Sequence, residues 1–112
     1  MGGGGVACEN METMTANNII KQVADFYGVS AGDVLSRKRN NTLADCRTVI
    51  CYTLCELHRM SFKSAGRILS RSHADVMYHV AKGRDWVTDP RLNMDGSAAI
   101  LEMECQMRRV FA

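Results

Sequence analysis

Apolar residues recur at helical spacing along most of the chain, and nowhere do they alternate for long enough to predict a strand. From Thr15 to Tyr27 the positions Ile19, Ile20, Val23, Ala24 and Tyr27 fall on one stripe, and Gly28 follows where a left-handed residue would end a helix. Ser30-x-x-Asp33 has the form of a capping box, opening a short turn through Val34 and Leu35. Thr42-x-x-Asp45 repeats that form ahead of Leu43, Cys46, Ile50, Leu54 and Leu57, which predicts a central packing helix running to about His58. Ser61 then caps a helix whose buried side is Phe62, Ala65, Ile68 and Leu69, and Ser70-Arg71-Ser72 is a tight turn. Ser72-x-x-Asp75 opens the next helix, in which Asp75 is expected to reach back to the amide of the capping serine. Val76, Val80 and Ala81 form its inward face with Met77 beside them, leaving His73, Ala74, Tyr78 and Lys82 outward. The pattern breaks at Asp89-Pro90, and Asn93-Met94-Asp95-Gly96 reads as a turn. Ile100, Met103, Met107 and Val110 then mark a last helix from about Ser97 to Phe111.

These elements predict an all-α fold, a compact helical bundle in which residues 61–86 form two helices joined by a tight turn. Such a pair is either a helix-turn-helix, whose second helix enters the DNA major groove, or an ordinary helical hairpin. The expected organisation is a flexible leader over residues 1–14, the helical domain over 15–88, and a turn plus C-terminal helix over 89–112. That last helix either packs on the domain or forms the seam of a weak homodimer, and its short apolar stripe favours packing. With 112 residues, 46% apolar composition and one proline, the chain reads as one soluble domain with a single functional surface and no membrane span.

Charge adds what periodicity cannot. The net charge is +2, but residues 36–84 hold ten Lys/Arg against three Asp/Glu, between flanks of −3 and −2. A basic centre between acidic ends points to a polyanion-binding face, with a solvated charged surface as the alternative. The densest run is Ser36-Arg37-Lys38-Arg39-Asn40-Asn41, a loop composition suited to lying along phosphates, where Arg37 or Arg39 could also enter a narrow minor groove. Arg47, one turn into the central helix, is an expected phosphate contact. Five cysteines, three of them inside one helix, fit a reducing cytoplasm better than a disulfide framework. Cys51, Cys55 and His58 share a helical face, but without a fourth ligand no metal is expected, and no cofactor is expected either. His58, His73 and His79 are not arranged with partners into a triad, so the sequence does not predict an enzyme.

The order of parts, IIKQVADFYGVSAGDVLSRKR, then the central helix, then SFKSAGRILSRSHADVMYHVAK, resembles the C-terminal DNA-binding domain of the bacterial replication initiator DnaA over about Asn18 to Trp86. The resemblance implies a Trp-repressor-like helix-turn-helix fold with double-stranded DNA as the partner, and replication or transcription proteins as further candidates. It implies that Arg39 takes the minor groove, with Arg37, Lys38, Arg47, Lys63, Arg71 and Lys82 at phosphates. Ser72, His73, Ala74 and Asp75 occupy the base-reading positions in the major groove, where the family typically has Asp-His-Thr-Thr. Only the histidine is shared there. Ala74 keeps contact with a thymine methyl without the threonine hydroxyl, and Asp75 either caps its own helix or accepts from cytosine. Asp45-Cys46 also stands where the family usually has Arg-Pro. The 112 residues contain no G-x-x-x-x-G-K-[ST] phosphate loop, so a free-standing DNA-binding regulator without an ATPase part is expected. Its setting would be the bacterial cytoplasm, at the nucleoid or encoded by a phage or mobile element. The competing expectation is a protein-interaction adaptor that keeps the fold.

Overall fold

A computed structural model describes the backbone of residues 11–111 and the side chains of residues 12–108. Cys8, the side chain of Val110 and the expected leader up to residue 10 lie outside the described residues. Six α-helices are described, with no strand among them: α1 Met11–Tyr27, α2 Ala31–Leu35, α3 Asn41–Tyr52, α4 Phe62–Leu69, α5 His73–Thr88 and α6 Met94–Phe111. A π-helical segment, Thr53–Leu57, continues α3, and a 3-10 turn, Pro90–Leu92, joins α5 to α6.

The ends of the helices are set largely by side chains. Ser30, Ser61 and Ser72 each cap a helix, their hydroxyls accepting the amides of Asp33, Ser64 and Asp75. Gly28 ends α1 at φ 72°, with the Val29 amide donating to the Ala24 carbonyl. Two expectations shift. The cap of α3 is Asn40, whose Oδ1 accepts from the Leu43 amide at 2.8 Å, rather than Thr42. Asp45, expected to complete a box with Thr42, instead accepts from Asn93 Nδ2 at 3.1 Å. Asn93-Met94-Asp95-Gly96 is the cap and first turn of α6, with Asn93 Oδ1 accepting the Gly96 amide. Helix α1 likewise starts at Met11, inside the expected leader.

Helix α3 is the centre of the core. Leu43, Cys46, Thr48, Val49, Ile50 and Cys51 are buried around most of its circumference, because α1, α5 and α6 pack on different sides of it. Each fully buried Leu, Ile or Val contributes about 1.5–3 kcal/mol relative to exposure. Ile19, Ile20 and Val23 come from α1, and Ala99, Ile100 and Met103 from α6, so the last helix closes the core. The inward face of α5 is Val76, Val80, Gly83 and Trp86. Ala81 and Met77 point to solvent, against expectation, because the buried spacing after Val80 runs through Gly83, which packs under Tyr52. The thiols of Cys46, Cys51 and Cys55 are core groups, and burial pushes them up to about 11, 12 and 11 respectively.

Candidate nucleic-acid interface

The turn between α4 and α5 is very close. Ser70 takes the left-handed conformation (φ 56°, ψ 44°), and the Arg71 amide donates to the Gly66 carbonyl at 2.8 Å. A Cβ on Gly66 would lie 2.7 Å from the Arg71 carbonyl oxygen, so residue 66 has no room for a side chain. This approach presents the first turn of α5 to solvent: Ser72, His73, Ala74 and Asp75 are all exposed. Only half of the expected capping box forms. The Ser72 hydroxyl accepts the Asp75 amide at 3.1 Å, whereas the Asp75 carboxylate takes part in none of the hydrogen bonds or ion pairs found among the described residues. The ring of His73 lies 5.7 Å from that of Phe62, which begins α4.

The basic loop between α2 and α3 is not slack, although its composition suggests an irregular segment. Arg47 lies beneath it at 8% exposure. Its Nε donates to the Val34 carbonyl at 2.9 Å, and its Nη2 approaches the carbonyls of Asp33, Ser36 and Lys38 at 3.3, 3.0 and 2.9 Å. Arg71 reaches across from the helix-turn-helix and donates to the same Ser36 carbonyl at 2.6 Å. The Ser36 hydroxyl ties the loop to α2 by donating to the Asp33 carbonyl. Arg47 was expected at a phosphate. Its Nε and Nη2 are instead directed at loop carbonyls, while the residue also lines the groove between the loop and α5, and burial, with Arg71 next, lowers its pKa. A guanidinium with so high an ordinary pKa stays charged regardless.

With the loop held this way, Arg37 and Arg39 project into solvent, and Lys38 pairs with Asp33 at 3.2 Å. So exposed a pair contributes at most about 1 kcal/mol, which leaves Lys38 available to an anion. Arg37, Arg39, Arg47 and Arg71 line one open groove of about 580 Å³, whose opposite wall is α5, through Asp75, Tyr78 and His79. The structure therefore brings four expected cations and one expected base reader to one groove. It sets the others around it. Lys63 and His73 line a separate depression with Phe62, and Lys82 Nζ sits between the rings of Tyr78 and Trp86, at 5.6 and 5.9 Å.

Tyr78, expected outward but given no DNA role, and His79, given neither, both line the groove. Their signal was available, since residues 75, 78, 79 and 82 share one helical face by spacing. His79 Nδ1 lies 2.8 Å from the Thr48 hydroxyl, and burial, with Lys82 next, lowers its pKa.

Two helices meeting at a left-handed turn, with the N-terminal turn of the second exposed beside a cationic loop, define a helix-turn-helix protein. The chain matches the model of the bacterial DnaA protein helix-turn-helix over residues 16–82, more than half its length, and belongs to that family. Among its relatives are the chromosomal replication initiator proteins DnaA of Paraburkholderia phymatum and Burkholderia multivorans, each 34% identical over 73 residues. That alignment covers 64% of this chain and 14% of either relative, so the chain spans about one-seventh of their length.

Proposed function

We propose that the chain is a double-stranded DNA-binding module that lays α5 in the major groove and its basic loop along the adjacent minor groove. The observation that carries this reading is the shared groove: Arg37 and Arg39 on one wall, Asp75, Tyr78 and His79 of α5 on the other, with Arg47 and Arg71 tied to the loop between them. Arg39 enters the minor groove, while Arg37, Lys38, Lys63, Arg71 and Lys82 meet phosphates. Ser72, His73, Ala74 and Asp75 read base edges, Asp75 through a carboxylate free to accept from a cytosine amino group. Arg47 acts one step back, as the residue that positions the loop. The module serves as a regulator of replication or transcription in the bacterial cytoplasm.

The test is binding to a random double-stranded library followed by a salt titration on the enriched sequences. A steep fall of affinity with salt is expected, and joint replacement of Arg37, Lys38 and Arg39 by alanine should make the slope shallower by about 0.9 for each phosphate no longer neutralised. A slope near zero in the unmodified protein would rule out the reading.

The outer face of α6 supports a second reading, contact with another protein. Met94 and Leu101 are 74% and 59% exposed on that helix, and Leu92 just before it is 61% exposed. Sedimentation of the protein with Met94 and Leu101 changed to lysine, against the unmodified chain, checks self-association. Identical monomers would remove α6 as a dimer seam.

A further inference from the structure

The groove holds one side chain whose ordinary pKa lies near neutrality, His79. It sits two turns into α5, half-buried, with Nδ1 against the Thr48 hydroxyl of α3 at 2.8 Å. Thr48 is fully buried, and its hydroxyl has His79 as hydrogen-bond partner. A threonine hydroxyl both donates and accepts. In the neutral tautomer that keeps its proton on Nε2, the ring nitrogen away from Thr48, the hydroxyl donates to Nδ1. When the imidazole is charged, Nδ1 donates instead and the hydroxyl accepts. The charged ring and that neutral tautomer are therefore both satisfied without moving either side chain, and in both of them Nε2 carries a hydrogen.

The surroundings of His79 are cationic. Lys82 and Asp75 lie on its own helix, with Tyr78 edge-on at 5.3 Å, while Arg47 faces it from α3 and Arg71 from the turn. Arg37, Arg39 and Asn40 complete the groove from the loop side. Burial first, and then this positive field, which Asp75 opposes, make the free protein hold His79 neutral more readily than an isolated imidazole. A phosphate entering the groove reverses the local field.

Building on the DNA-binding reading, we propose that His79, seated on Thr48, is a proton-linked phosphate contact. It meets the backbone of bound DNA through Nε2 and takes up a proton from solvent as the duplex enters the groove. The linkage has one sign. A bound anion favours the charged imidazole, so the complex binds more protons than its separated parts, and affinity rises as pH falls through the range in which the bound form titrates. Affinity is level above that range and level again once the free protein is also protonated.

The experiment measures anisotropy of a fluorescein-labelled duplex at constant low salt, from about pH 7.5 to about pH 5.5. The proteins are the unmodified chain, His79→Gln, Thr48→Val and His73→Gln. His73→Gln, a change at a base reader, should bind more weakly overall. Relative to its own affinity at about pH 7.5, its binding should still rise several-fold toward acid as that of the unmodified chain does, within the limit of about tenfold per pH unit that one proton allows. His79→Gln should bind DNA with the rise abolished, and Thr48→Val should reduce it. NMR of the His79 ring protons supplies a second readout, with the midpoint of titration moving to higher pH when duplex is added. A rise that survives in His79→Gln, or one that vanishes only in His73→Gln, overturns the inference while leaving DNA binding intact. Failure to bind duplex at any pH rejects the DNA-binding reading itself.

Discussion

Replacing Arg47 with methionine separates two roles that a basic residue beneath a DNA-binding loop can have. Methionine keeps most of the apolar stem and removes every donor. The bond from Nε to the Val34 carbonyl is buried, and leaving that acceptor unpaired costs about 1–3 kcal/mol. The approaches of Nη2 to Asp33, Ser36 and Lys38 are part-buried and share one nitrogen, so water replaces them at a further cost of about 1 kcal/mol. The expected loss is about 2–4 kcal/mol, which a domain with an ordinary stability of about 5–15 kcal/mol survives. Urea unfolding followed by the fluorescence of Trp86 measures it. Because the loop loses its anchor, DNA affinity should fall with a salt slope shallower by about 2–3, the worth of Arg37, Lys38 and Arg39 together, rather than by the 0.9 or so of one phosphate. An unchanged urea midpoint with a slope reduced by about 0.9 would refute the anchoring role and return Arg47 to a direct phosphate contact.

Three other outcomes follow from the packing and the buried groups. Gly66→Ala should destabilise the protein by about 1–3 kcal/mol and weaken DNA binding more than stability alone explains, since its Cβ would meet the Arg71 carbonyl at 2.7 Å and pry the turn open; thermal melting and anisotropy check both. The free protein should lose thermal stability below about pH 6.5, because burial lowers the folded-state pKa of His58 and His79 from an ordinary 6.5, so the unfolded chain binds the extra protons; melting of His79→Gln should show a smaller fall. Among the described cysteines, Cys105 should react with a thiol reagent in the native state, while Cys46, Cys51 and Cys55, buried and raised in pKa, should react at the rate of unfolding; mass-resolved labelling gives the order.

Local chemistry in the sequence was enough to place most of the scaffold. Serine hydroxyls at positions 30, 61 and 72 announce helix starts because the bond they make is to an amide three residues away, and nothing distant competes. Where a long-range partner exists, the local pattern misleads: Asp45 looks like part of a capping box, yet its partner Asn93 is 48 residues on. Gly83 and Gly96 carry no hydrophobic signal but are packing positions, under Tyr52 and against Trp86, so the inward face of α5 and the start of α6 were both misplaced. The site divides in the same way. Its exposed cations are legible as a charge cluster, whereas the burial of Arg47 depends on carbonyls that only the folded loop brings together. The pairing of Thr48 with His79 joins two helices 31 residues apart and leaves no trace in either one.

The bond between Asp45 and Asn93 also bears on how the protein should be handled. The family match stops at residue 82, but Asn93 fastens the next helix to α3, and Ala99, Ile100 and Met103 then enter the same core. A fragment cut where the family likeness ends would remove part of its own interior. The carboxylate that makes this fastening stands where the resemblance leads one to expect an arginine. In this chain that position secures the C-terminal helix. Arginine at residue 45 would therefore remove the acceptor that fastens that helix to α3.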